Sequence, residues 1–187
     1  MQSKVFIMSI LFIVALLFVG CGGTSEGTPE EAVANAINAI KQLDEEKIER
    51  YFPDSDPIGS LGEEHEDIIK LSVENISFNI ISSSINGDSA TAEVAITNID
   101  MGIIFGEYLG QAMDMLSAEV ELTYEEMDQI FLDLLKRPDN EMVTITVTIN
   151  LAKNDDADGW IIDADEAFAD AIFGGMLSAV AGAFGGF

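Results

Sequence analysis

The sequence predicts an α+β domain. N-terminal helices precede about four antiparallel strands, a two-helix insertion separates the second and third strands, and a C-terminal helix closes the chain. Three observations carry this prediction. Val33, Ala36, Ile37 and Ile40 recur at helical spacing behind a strong start signal. Residues 76–80, 90–96 and 143–151 switch to apolar–polar alternation. Asn86-Gly87 and Asp158-Gly159 fall between alternating runs, where hairpins turn.

Each element has a local reason. Thr28 caps the first helix, Pro29 suits its first position, and Glu31 completes a capping box. That helix should end near Leu43 and Asp44. A short second helix puts Ile48, Tyr51 and Phe52 on one face and is ended by Pro53 and Pro57. Residues 54–62 read as a loop, and 63–71 as a third short helix. Ile76, Phe78 and Ile80, then Ala90, Ala92, Val94 and Ile96, mark an antiparallel pair over 73–98. Asp100 caps a helix to about Ala118 with an apolar face of Ile104, Tyr108, Met115 and Leu116. Its Gly102, Gly106 and Gly110 suggest a groove for close packing on the sheet. Thr123 and Glu126 form a second capping box ahead of Met127, Ile130, Phe131 and Leu134, with Pro138 as the stop. Val143, Ile145, Val147, Ile149 and Leu151 form the clearest strand, returning through 154–159 into Trp160, Ile161 and Ile162. A helix over 166–181 is expected to pack on the domain and bury Phe168 and Ile172, with residues 184–187 frayed.

The N-terminus has a different character. Lys4 precedes an apolar run at 5–18, and Gly20, Gly22 and Gly23 surround Cys21, the three-part layout of a secretory signal. The run is shorter than the roughly 20 residues of a spanning helix. Leu17-Phe18-Val19-Gly20-Cys21 resembles a bacterial lipobox, with Phe18 where Leu is usual. The resemblance implies cleavage before Cys21 and acyl chains on that residue. The expected organisation is a lipoprotein signal peptide at 1–20, a flexible linker at 21–27, an α+β domain at 28–167 and an apolar Gly/Ala-rich helix and tail at 168–187.

Charge narrows the partners. Lys plus Arg number 8 and Asp plus Glu 34, for a net charge of −26. Loss of residues 1–20 removes Lys4 and no acid, leaving seven cations against 34 acids, a net −27. Such a chain does not neutralise nucleic-acid phosphates and is repelled by anionic lipid. A basic patch cannot hold it at a membrane, whereas two acyl chains can. The seven steps from Cys21 to Thr28 reach about 25 Å when extended, which keeps the domain near the surface. One Cys and one His exclude an intramolecular disulfide and a Cys/His zinc site.

Thr28-Pro29-Glu30-Glu31, Ile96-Thr97-Asn98-Ile99-Asp100 and the Lys-x-Asp-x-x-Asp-Gly-Trp stretch at 153–160 follow one another in an order that resembles small Gram-positive lipoproteins of the cystatin-like cone fold. These are relatives of nuclear transport factor two. The resemblance spans about residues 28–175. It implies a curved sheet wrapped around helices with a pocket at the open end, and it brings no catalytic residues.

Candidate chemistry is sparse. Counted from Asn154, residues Asn154, Asp156, Asp158, Gly159 and Asp165 fall on positions of a calcium loop. A strand precedes the loop instead of a helix, and Asp165 stands where Glu is required, so a hairpin turn is the expected reading and calcium the alternative. His65, among Glu63, Glu64, Glu66 and Asp67, reads as a solvated histidine. Ser82-Ser83-Ser84 reads as a strand end. Trp160, Met101, Met113 and Met115 read as core. No catalytic residue or cofactor is assigned. The expectation is a lipid-anchored lipoprotein on the extracytoplasmic face of the cell membrane, carrying a non-catalytic binding or interaction domain for a small apolar ligand or a protein partner. A pocket enzyme of the ketosteroid-isomerase type, with an Asp beside an apolar ligand, and a calcium-dependent envelope protein are the alternatives.

Overall fold

The computed structural model describes residues 27–55, 57, 65–119, 123–154 and 159–184. They form α1 (Pro29–Gln42), α2 (Glu45–Tyr51), α3 (Glu66–Val73), β1 (Ser77–Asn86), β2 (Ser89–Ile99), α4 (Met101–Ser117), α5 (Tyr124–Leu135), β3 (Met142–Asn154), β4 (Gly159–Asp163), α6 (Glu166–Ile172) and α7 (Met176–Phe184). The α+β class is as expected, and α4 and α5 both lie between β2 and β3 in the chain. The signal peptide, Cys21 and most of the linker lie outside the described residues.

The four strands form one antiparallel sheet in sequence order. Val94 faces Val147 and Ile96 faces Ile145, so alternating residues of β2 and β3 share a face. The helices cover that face: α1 lies across β1, β2 and β4, and α6 across β2 and β3. Ala90, Ala92, Val94, Ile96, Ile149 and Leu151 are buried there with Ile37, Ile40, Phe52 and Phe168. The other face exposes Thr91, Thr144, Thr146, Thr148 and Asn150, and the Thr97 and Thr144 hydroxyls bond to each other at 2.7 Å.

Both capping boxes form as expected, at Thr28–Glu31 and Thr123–Glu126. The first hairpin is offset by one residue. Asn86 pairs with Ser89, so the turn is Gly87-Asp88, and Gly87 alone takes positive φ. That is the requirement of a type II′ turn, with glycine at the first central position. A bulge at Ile81 shifts the register between Ile80 and Ser82. Ser83 consequently faces Ala92 on the helix side, and its hydroxyl donates to the Glu30 carboxylate of α1. The three serines therefore sit inside β1 and not at its end.

Asn98 is fully buried at the junction of three elements. Its Nδ2 donates to the carbonyls of Ser72 and Ile172, both at 2.7 Å, and its Oδ1 accepts from Ile99 N. A buried amide with all these bonds made is stabilising, whereas its loss would orphan two carbonyls.

The C-terminal region differs from expectation. The single helix is two helices bent by 106°. The break falls at Gly174 (φ +53) and Gly175 (φ +81). A Cβ on Gly174 would lie 1.9 Å from the Ile99 carbonyl oxygen, and Gly174 O accepts from Met101 N at 3.0 Å. Close backbone approach and left-handed φ both demand glycine here. Asp165 caps α6 through Phe168 N, and Asp170 bonds Ser178 in the first turn of α7 through both carboxylate oxygens. Phe168, Ala171 and Ile172 belong to the main core, so the residue 167/168 boundary cuts through a helix of the domain. No single helix among the described residues is long and apolar enough to cross a membrane.

The glycines of α4 do not pack on the sheet. At Gly102 a Cβ would meet Ala179 of α7 at 3.5 Å, while Gly106 and Gly110 face open space. Met101 is buried, but Met113 is 66% exposed and not core.

Candidate functional site

An open groove of about 440 Å³ lies between α1 and α2, lined by Asn35, Asn38, Ala39, Gln42, Lys47, Arg50 and Tyr51. Its volume lies in the range of small-molecule sites. Asn35, Asn38 and Gln42 follow one another at i, i+3 and i+7, so one face of α1 presents three carboxamides. Lys47, Arg50 and Tyr51 stand at i, i+3 and i+4 on α2. Ala39 and Tyr51 are buried and form the floor.

The corner between these helices is a Schellman turn. Leu43 N donates to Ile40 O and Asp44 N to Ala39 O. Leu43, at φ 52, occupies the left-handed position that glycine usually takes. Its side chain packs against the main core, and this holds the strained residue in place. Asp44 caps α2 through Lys47 N at 3.2 Å and pairs with Lys47 Nζ at 2.6 Å. The Lys47 bond, then the backbone bond, hold the Asp44 carboxyl below its ordinary value. One of three ammonium donors of Lys47 is thus committed to Asp44. None of the residues lining the groove is acidic, in a chain with 34 acids.

The positions singled out from sequence are dispersed. His65 precedes α3, and its Nδ1 lies 3.6 Å from Asp128 Oδ2 of α5, beyond hydrogen-bond length. The imidazole is 41% exposed, yet Nδ1 itself is shielded and has no hydrogen-bond partner among the described residues. Nearby, burial and then the Asp128 charge push the Tyr108 phenol above its ordinary value. Tyr108 packs edge-on against Phe131, with ring centroids 5.3 Å apart. This is a surface pair beside an aromatic contact.

In the Asp-rich segment, Asn154 pairs with Gly159 across β3 and β4, so the expected hairpin forms. Asp156 and Asp158 lie outside the described residues. Asp165 Oδ1 is engaged as the cap of α6 at 2.8 Å. Among the described residues no three His, Cys, Asp or Glu side chains gather as a metal site. Trp160 is core, as expected.

The interior bears on acid–base chemistry. Ser72 and Asn98 are the buried polar side chains among the described residues. The carboxyl shifts that stand out are all downward. Glu30 is lowered first by Ser83, Asp44 first by Lys47, and Glu126 first by the Thr123 backbone. A raised carboxyl in an apolar pocket, the signature of a buried general acid, is not found among the described residues.

The α1–α2 groove was not singled out from sequence, although the carboxamide spacing was readable there. No family model, no curated protein and no solved structure matches this chain.

Proposed function

We propose that the chain is an extracytoplasmic lipoprotein, held to the cell membrane through acyl chains on Cys21, whose domain is a non-catalytic binding module with the α1–α2 groove as its ligand site. The groove carries this reading. It is of ligand size, and amide and cationic side chains line it. The main core supports a binding role over an enclosed catalytic one, because Phe52, Phe168, Ile37 and Ile172 fill the space between helices and sheet. A ligand would therefore meet the polar outside of the helices and not an apolar interior. The cystatin-like cone fold remains the proposed relationship, supported by helices packed on one face of a four-stranded antiparallel sheet. Nothing in the described interior favours the isomerase-type alternative.

The anchor is tested by Cys21→Ala in the producing cell. The wild-type chain is expected in the membrane fraction with a lipid-modified N-terminal peptide by mass spectrometry. The variant is expected to lose that modification and its membrane association. An unmodified Cys21 in a released wild-type chain would overturn the anchor.

A further inference from the structure

We propose that β1 is a pairing edge for a second copy of this chain, so that two sheets join through an antiparallel β1–β1 ladder across a two-fold axis. β1 ends the sheet, and among the described residues no strand pairs with its outer edge. An open row of unpaired backbone groups is a template for another strand. Such edges are commonly guarded by charge or proline. The ten residues Ser77–Asn86 carry neither, in a chain that is 22% charged. Two chains of net −26 repel one another. Along β1 they can meet without setting like charges opposite each other in the ladder.

The register follows from the backbone. Asn86 and Ser89 close a two-residue turn. Alternation along the antiparallel pair then commits the backbone groups of Ser82, Ser84 and Asn86 to β2 and turns those of Ser83 and Ile85 to the open edge. An isologous ladder centred on Ser83 sets Ser83 against its own copy. It also sets Ile85 of one copy opposite Ile81 of the other, and the reverse. Ile81 and Ile85 are 51% and 59% exposed, so this register covers both large apolar side chains at once. Two acids flank the edge: Glu30 accepts from the Ser83 hydroxyl, and Glu93 accepts from the Ser82 hydroxyl at 3.4 Å. Doubling them across the axis opposes association, and salt screens that cost. One strand pair is a smaller interface than the roughly 1,200 Å² of stable complexes, so the association is weak and depends on concentration.

The test uses the full chain, isotope-labelled, in detergent with micelles in excess over protein. Sedimentation and amide hydrogen exchange are followed across a range of protein concentrations. Sedimentation is expected to show a monomer–dimer equilibrium whose dissociation constant falls at least tenfold from low to high salt. As concentration rises, the Ser83 and Ile85 amides should gain protection, while those of Ser82 and Ser84, committed to β2, should not change. Ile85→Pro removes an N–H that β2 does not use, so the sheet is kept and the dissociation constant should rise at least tenfold. Ile85→Glu, at the same exposed position, should do the same and serves if the proline variant fails to fold. A chain that is monomeric at every concentration would overturn the second copy as occupant. So would protection of Ser83 and Ile85 by an added alternating Lys-Val peptide in a chain that stays monomeric, which would give the edge to a basic strand of another protein. Dimers indifferent to both Ile85 variants, with Ser83 unprotected, would overturn β1 as the interface. Dimers that dissociate in added salt would overturn the role of the uncharged edge.

Discussion

The sheet-backed core and the helical annex formed by α3, α4 and α5 are built to different standards. Among the described residues the first cluster holds twenty-two buried residues from both N- and C-terminal helices and from β2, β3 and β4, with Phe78 and Ile80 of β1 partly buried against it. The second holds five: Ile99, Met101, Ile104, Leu134 and Leu135. Met176 touches both clusters. The annex leaves Ile103, Met113, Leu116 and Tyr124 exposed, and its helices rely on caps at Asp100 and Thr123. Few buried contacts and many solvent-facing backbone bonds mark a region that opens at lower free energy than the whole. The comparison teaches that the proposed ligand groove stands on the thick part of the molecule, because Tyr51 and Leu43 tie it to the sheet-backed core.

The sharpest way to break this comparison is to remove a ring from each side. Phe168 is buried against Phe52, with centroids 5.7 Å apart. Phe168→Ala should cost about 3–5 kcal/mol in urea unfolding. Phe131 is only partly buried against Tyr108, and Phe131→Ala should cost less than half as much. Equal losses would show the annex to be as tightly integrated as the sheet-backed core.

A smaller effect is expected at the junction of the two regions. Gly174→Ala places a methyl group against the Ile99 carbonyl oxygen and forces alanine to φ +53. Backbone strain of this kind costs of order 1–3 kcal/mol. Hydrogen exchange should accelerate first in α7 and at Met101 N, whose bond to Gly174 O is lost. Unchanged protection in α7 would mean that the close approach does not hold it.

The smallest effect concerns acid. Glu30 is held below its ordinary value first by the Ser83 hydroxyl, so its carboxylate favours the folded chain. The contribution is complete above the unfolded-state value and fades as pH falls through the lower folded-state value. Ser83→Ala should flatten the acid limb of a stability–pH profile slightly. Because Glu30 is close to solvent, a large change would indicate that the α1–β1 tie does more than its exposure allows.

What was legible in the sequence was local. The capping boxes at Thr28 and Thr123 and the alternation of 143–151 depend on neighbours a few residues away, and they formed as read. The break at Gly174-Gly175 depends on a carbonyl at Ile99, seventy-five positions earlier. The glycine pair alone signalled a turn there, but the apolar stretch masked it. Ile81 reads as one more strand residue, and only pairing with Glu93 and Val94 reveals it as a bulge. Asn35, Asn38 and Gln42 formed a readable stripe, but Lys47 and Arg50 reach it only because Leu43 turns the chain. The Asp-rich hairpin drew attention by composition, and at Asp165 the structure uses the carboxylate as a helix cap.

Trp160, the chain's sole tryptophan, donates its indole N–H to the Gly27 carbonyl at 3.1 Å. Gly27 is where tension on the leading end of the chain enters the domain. The load passes at once to an indole rooted in the third and fourth strands and to the capping box of α1. Both stand on the sheet-backed core, so under the proposed lipid anchor a pull on the chain would be borne by the larger of the two buried clusters among the described residues.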